Sequence, residues 1–223
     1  MKKYFYFLSV ILSMAMVFPL VSCGGDDDDE DGVPDSKFSY VTCPDNKHPH
    51  KIDLGLPSGT LWACCNVGAT TPEGFGGYYA WGEKDTKEKY DSETYILRGP
   101  GYYQEIGSEI SGTEFDVAHA KWGGSWVMPS LKDGDELYEC CTREKTTENG
   151  VEGYRLHGPS GGSIFLPAAG YRTSDYVRDL GKYCYYWSST LTNRQYLFVK
   201  DAYTISSGEY DRALGFPVRP VSK

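Results

Sequence analysis

The side chains with chemistry to offer in this chain are a few thiols, imidazoles, hydroxyls and clustered carboxylates, each at a definite spacing. Cys43, His48 and His50 bring one thiol and two imidazoles together. Alternate residues of a strand share a face, so His48 and His50 would point the same way, as the start of a soft-metal site. No fourth ligand follows at metal-like spacing, and the expectation is an exposed leading segment with no metal. Gly158-Pro159-Ser160-Gly161-Gly162 fits the G-x-S-x-G pattern of a nucleophile elbow. That mechanism needs a strand-to-helix turn exposing the serine, whereas these residues separate two strand-like runs and have hairpin composition, so a loop is expected. Asp133, Asp135, Glu136 and Glu139 crowd one short stretch. Carboxylates in a first helical turn complement the helix dipole, which accounts for them without glycoside hydrolysis. His119 and His157 are isolated and read as surface polar residues. No catalytic residue and no cofactor is assigned, and the chain is not read as an enzyme.

Six further cysteines accompany Cys23: Cys43, the adjacent pairs Cys64-Cys65 and Cys140-Cys141, and Cys184. Neighbours on a strand point to opposite faces, so neither pair is expected to close on itself. One bridge between Cys64 or Cys65 and Cys140 or Cys141 is expected, in keeping with an oxidising compartment.

The elements that must carry these residues begin with a leader. Met1-Lys2-Lys3 precedes an apolar run over residues 4–21, which reads as a cleaved signal peptide over 1–22. Leu20-Val21-Ser22-Cys23-Gly24 resembles the lipobox of bacterial lipoproteins, in which only a thiol can form the thioether to diacylglycerol; Cys23 is the expected lipid attachment. Residues 23–37 include Asp26-Asp27-Asp28-Asp29-Glu30-Asp31, a run of like charges that reads as an extended tether. This acidic stretch resembles the surface-export signal of Bacteroidota lipoproteins, implying a lipid-anchored protein of the outer membrane exposed at the cell surface. Without Lys2 and Lys3 the chain carries 20 basic and 31 acidic side chains, a net of −11, and six of the acids lie in the run from Asp26 to Asp31. With no Lys/Arg-rich run, nucleic acid is excluded as a partner.

Residues 38–223 read as one domain of about 185 residues, enough to bury most of its apolar surface. Ile52, Leu54 and Leu56 alternate with other residues up to Pro57-Ser58-Gly59, after which Leu61, Ala63 and Cys65 resume, an opening β-hairpin. A helix is expected over residues 116–122, stopped by Gly123-Gly124. A second begins at the capping box Ser130-Leu131-Lys132-Asp133, with Leu137, Cys140 and Cys141 on one face. Strands are expected over 154–157, 163–168, 183–187, 196–199, 203–206 and 216–221. The class is α+β, mostly antiparallel strands with two helices and many loops.

Seven blocks in order resemble the Fibrobacter succinogenes major paralogous domain: residues 53–63 (DLGLPSGTLWA), Asn66-Val67-Gly68-Ala69, Tyr79-Ala80-Trp81-Gly82-Glu83, 122–129 (WGGSWVMP), 164–172 (IFLPAAGYR), Tyr186-Trp187-Ser188-Ser189 and 215–221 (GFPVRPV). The resemblance implies a C-type lectin-like scaffold, related to the formylglycine-generating-enzyme fold group, on a secreted or surface protein. It implies no activity. Trp187-Ser188-Ser189 stands where a calcium-binding tripeptide would be sought, and serines lack the carboxylates such a site prefers.

Aromatic residues make up 15% of the chain. The five tryptophans Trp62, Trp81, Trp122, Trp126 and Trp187 are expected in the core. The tyrosine-rich stretches 84–114 and 171–182 fall mainly outside the blocks, and variable loops on a rigid scaffold carry recognition. Tyr102, Tyr103, Tyr176 and Arg178 are the expected ligand contacts. The functional expectation is a non-enzymatic surface module for adhesion to a glycan or protein; the alternative is an accessory subunit of an outer-membrane transporter or a fimbrial assembly.

Overall fold

The computed structural model describes residues 47–101, 103–191, 196–201, 204–208 and 211–223, with backbone alone for 196–201 and 204–208. The signal peptide, Cys23, the acidic tether, Cys43 and Tyr102 lie outside the described residues. No helix among the described residues is long and apolar enough to cross a membrane.

The chain runs through β1 (Lys51–Asp53), β2 (Leu61–Ala63), α1 (Val117–Trp122), β3 (Trp126–Val127), α2 (Leu131–Cys140), β4 (Thr142–Glu148), β5 (Val151–His157), β6 (Ser163–Pro167), β7 (Tyr171–Thr173), β8 (Tyr176–Arg178), β9 (Cys184–Trp187), β10 (Tyr196–Asp201), β11 (Thr204–Gly208) and β12 (Val221–Ser222). These form three small antiparallel sheets, β1-β2-β12-β3, β4-β5-β6 and β11-β10-β9, and a separate β7-β8 hairpin. The class is α+β.

The opening hairpin forms as expected, with Ile52 opposite Trp62 and Lys51 opposite Ala63. Gly59 takes φ +71 in its turn, a conformation that costs glycine little. Helix α1 is capped by Asp116, whose side chain accepts from Ala118 N and His119 N, and it stops at Gly123 with φ +65. Helix α2 begins in a complete capping box, Ser130 and Asp133 each bonding the other's backbone amide. It ends at Cys140, with Cys141 as the C-cap; of the expected face, Leu137 and Cys141 are buried while Cys140 is half-buried.

Among the described residues three apolar clusters hold the domain. The first joins Ile52, Leu54, Trp62, Leu137, Leu156 and Val221. The second centres on Trp81, Trp187 and Phe216. Trp187 stacks on Phe216 at 4.2 Å and 16°, and its Nε1 donates to Tyr79 O at 2.6 Å, which satisfies the indole in a site with no water access. Trp62, Trp81, Trp126 and Trp187 are buried and Trp122 is partly so, in line with the core assignment.

Candidate functional site

Tyr90, Tyr95 and Tyr103 of the long loop turn inward. Tyr90 and Tyr95, with Ala80, Leu97 and Ala213, make the third apolar cluster. The Tyr90 hydroxyl donates to Tyr78 O and accepts from Lys87 N, and the Tyr95 hydroxyl donates to Trp81 O at 2.7 Å. Lys87 Nζ bridges Glu83, itself 4% exposed, and Thr94 O. The Lys89 ammonium holds the half-buried Asp91 carboxyl down at about 2, and Asp91 in turn accepts from Glu93 N and Thr94 N. An irregular segment gains order here because its polar groups are paired within it. Tyr103 belongs to this framework: its hydroxyl donates to Asp211 Oδ1 at 2.8 Å, its ring meets Tyr95 edge-on at 5.7 Å, and Arg212 lies 4.5 Å above it. Expected as a ligand contact, Tyr103 is half-buried and pins one loop to another.

Burial of phenols has a consequence at high pH. Desolvation pushes the Tyr78 and Tyr79 hydroxyls up to about 12 from an ordinary 10.0, and those of Tyr95 and Tyr186 higher still. The unfolded chain loses these protons near 10 while the folded chain keeps them. Stability from this source is therefore complete below pH 10 and falls as pH rises toward 12. Tyrosinate absorbance and near-ultraviolet circular dichroism recorded together should show the buried phenols ionising only as the fold is lost; ionisation of these phenols near 10 with an unchanged dichroism would contradict this.

The second expected region is built differently. In the β7-β8 hairpin Tyr171 pairs with Arg178 and Thr173 with Tyr176. Ser174 takes φ +52 in the turn and exchanges two backbone bonds of 2.7 Å with Tyr90. Arg172 exchanges two with Gly215, and its guanidinium bonds Glu88 O and Asp175 O. Tyr171 is buried against Tyr185 and Phe216, anchoring the hairpin to the second core. On this fixed support Tyr176 stays 47% exposed and Arg178 exposed, two residues apart on one face. Arg178 Nη2 donates to the Tyr176 hydroxyl at 2.9 Å with the guanidinium 5.4 Å from the ring. The pair presents an aromatic edge and a multi-donor cation together, each orienting the other. Leu180, 50% exposed, follows.

Other groupings resolve into structure. Gly158 to Gly162 is the turn between β5 and β6, and Ser160 Oγ donates to Asp53 O while Ser160 N donates to Leu54 O. A Cβ on Gly158 would lie 2.1 Å from Leu54 O and one on Gly162 2.0 Å from Asp53 O, so these glycines allow the loop to pack on the chain after β1. Asp133 caps α2 and pairs with Lys223, and Glu136 accepts from the Ser58 amide across the opening turn; Asp135 and Glu139 are exposed. His157 faces Glu144 at 3.4 Å.

Cys64, Cys65 and Cys141 are buried and Cys140 half-buried in or against the first cluster, yet no disulfide joins them among the described residues. Burial pushes the Cys184 thiol well above its usual range, and its sulfur contacts Leu166 O, the profile of an inert core thiol. Cys64 and Cys65 depart from expectation. They occupy a bend just past β2, where strand alternation no longer applies, and Cys64 Sγ lies 2.9 Å from His48 Nδ1. The histidines seen in the sequence thus meet a sulfur that their spacing did not suggest.

No family model, curated protein or solved structure matches the chain, so the resemblance to the Fibrobacter succinogenes major paralogous domain rests on its seven sequence blocks.

Proposed function

We propose that this chain is a non-enzymatic, lipid-anchored module of the outer membrane that binds a glycan at the cell surface through its β7-β8 hairpin, on a scaffold of the C-type lectin-like group. The observation that carries the reading is the exposed Tyr176–Arg178 pair, mounted on a hairpin tied to Tyr90 at its turn and to Gly215 along its strand. A fixed aromatic group suits the C–H face of a sugar ring, and a guanidinium supplies planar donors to ring hydroxyl or carboxylate oxygens. Because the support is already ordered, little freedom is lost on binding. The seven blocks support the scaffold, and the lipobox-like Leu20-Val21-Ser22-Cys23-Gly24 with its acidic run supports the anchor and the surface location. Calcium plays no part, since the recognition chemistry is aromatic and cationic. Screening the full chain in mild detergent against bacterial and host surface glycans should return saturable binding that survives a calcium chelator. A survey without a binder, or binding abolished by the chelator, would overturn the proposal.

A further inference from the structure

Donor atoms from two separate parts of the chain converge where it enters the domain. His48 Nδ1 is 2.9 Å from Cys64 Sγ, the His50 amide donates to the same sulfur at 3.1 Å, and His50 Nδ1 is 3.7 Å from it. The two imidazoles meet edge-on with centroids 5.2 Å apart. Cys65 joins them: one donor atom each from His48, Cys64 and Cys65 lie within 4.8 Å of one another. The bend after β2 turns both neighbouring sulfurs to one side, and the bond from Cys64 N to His50 O fixes the leading segment against it.

We propose that His48, Cys64 and Cys65 form a site for a borderline-soft d10 cation, Zn2+ above all, with the His50 imidazole or a water in the fourth position. Two thiolates and an imidazole are the donors zinc takes in tetrahedral sites, and they disfavour calcium and magnesium. Zinc–sulfur bonds of about 2.3 Å and zinc–nitrogen bonds of about 2.0 Å set tetrahedral donors about 3.5 Å apart. The observed separations fall on both sides of that value, so side-chain rotations of modest size suffice. Burial is graded to suit entry of an ion: Cys64 is 3% exposed and Cys65 0%, whereas both histidines are half-buried at the mouth. Binding replaces two S–H bonds by two zinc–sulfur bonds and releases two protons, with no change of oxidation state. The bound ion would lock residues 48–50, which follow the expected tether, onto the end of β2. This inference is independent of the glycan reading.

The test is a titration of the reduced full chain with Co2+, followed by Zn2+. A one-to-one complex is expected, with thiolate-to-cobalt charge-transfer absorption, tetrahedral ligand-field bands, displacement by zinc and release of two protons. His48→Ala and Cys65→Ser should each weaken binding at least about 100-fold, since each removes a direct ligand, where even outer-sphere losses cost 10–100-fold. His157→Ala, outside the cluster, should bind as the parent does. His48→Ala keeps the test decisive if a cysteine variant does not fold, because His48 is only half-buried. Absence of thiolate-to-metal absorption, equal losses in His48→Ala and His157→Ala, or isolation of the native chain with Cys64 and Cys65 already oxidised would each overturn the proposal.

Discussion

Arg219→Met should remove about 4 kcal/mol of stability, a large share of what a domain of this size holds. Arg219 is 1% exposed, and among the described residues no carboxylate is a hydrogen-bond partner of it. Its guanidinium is solvated by the protein itself: Nε donates to Asn66 Oδ1 at 2.7 Å, Nη1 to Ala63 O and Cys64 O, and Nη2 to Pro72 O and Phe165 O. One side chain thereby ties the end of β2, the loop after it and β6 to the C-terminal segment. Methionine matches much of the volume and escapes the cost of burying a charge, but it strands these acceptors away from water, at about 1–3 kcal/mol for each that finds no substitute. Lysine should rescue little, because a single ammonium cannot reproduce a planar fork that reaches five acceptors. Chemical denaturation of the full chain, followed by tryptophan fluorescence, measures the loss. A cost under about 1 kcal/mol would show that these carbonyls find other donors.

Asp116→Ala is the mirror case, with an expected loss of about 4 kcal/mol from the same assay. The side chain is 0% exposed and accepts four backbone amides, Ala118 N and His119 N on one oxygen and Gly112 N and Met128 N on the other, at 2.8–3.0 Å. It therefore caps α1, closes the loop before it and holds the residue after β3. Alanine leaves all four amides without this acceptor, those of Ala118 and Met128 buried away from water. Asparagine keeps one oxygen but turns an NH2 group toward amide donors, so an intermediate loss is expected. Equal stability of the alanine variant and the parent would refute this account of the second core's floor.

Neither of these charges was visible as a keystone in the sequence, for a physical reason. Their partners are backbone carbonyls and amides, which every residue possesses, so no residue pattern announces them. The opening hairpin and both helices were legible because their signals are local: alternation around Pro57-Ser58-Gly59, the Ser130 capping box and the Gly123-Gly124 stop. Strand β4 was missed because Thr142–Glu148 contains no apolar residue and pairs with β5 through its backbone at a sheet edge. The three-residue strands β7 and β8 are too short to show a period, and their turn has no glycine. Over 216–221 a strand was expected, yet Pro217 and Pro220 have no N–H to give to a ladder. Only Val221–Ser222 pairs as a strand, while Phe216, Pro217, Val218 and Pro220 offer carbonyls to Tyr79, Trp187, Val67 and Ala63.

The cysteine–histidine cluster was within reach of the sequence. A hairpin that sets residue 52 opposite 62 and 51 opposite 63 sets 50 opposite 64 by the same register, so His50 and then His48 return to Cys64. Reading the segment for ligands within a linear spacing, rather than across the hairpin, hid that partner. Of the expected ligand contacts, Tyr176 and Arg178 stand out in the fold, Tyr103 is engaged within it, and Tyr102 lies outside the described residues.

The most direct test of the surface-binding account is the dissociation constant of the full chain for a glycan identified by screening, compared with Tyr176→Ala and Arg178→Ala. Both side chains are exposed, so both variants should fold as the parent does. Removing an anchoring aromatic or arginine should weaken binding about 30-fold, equivalent to about 2 kcal/mol. Unchanged affinity in both variants, with the glycan still bound saturably, would place recognition elsewhere on the domain and contradict the account.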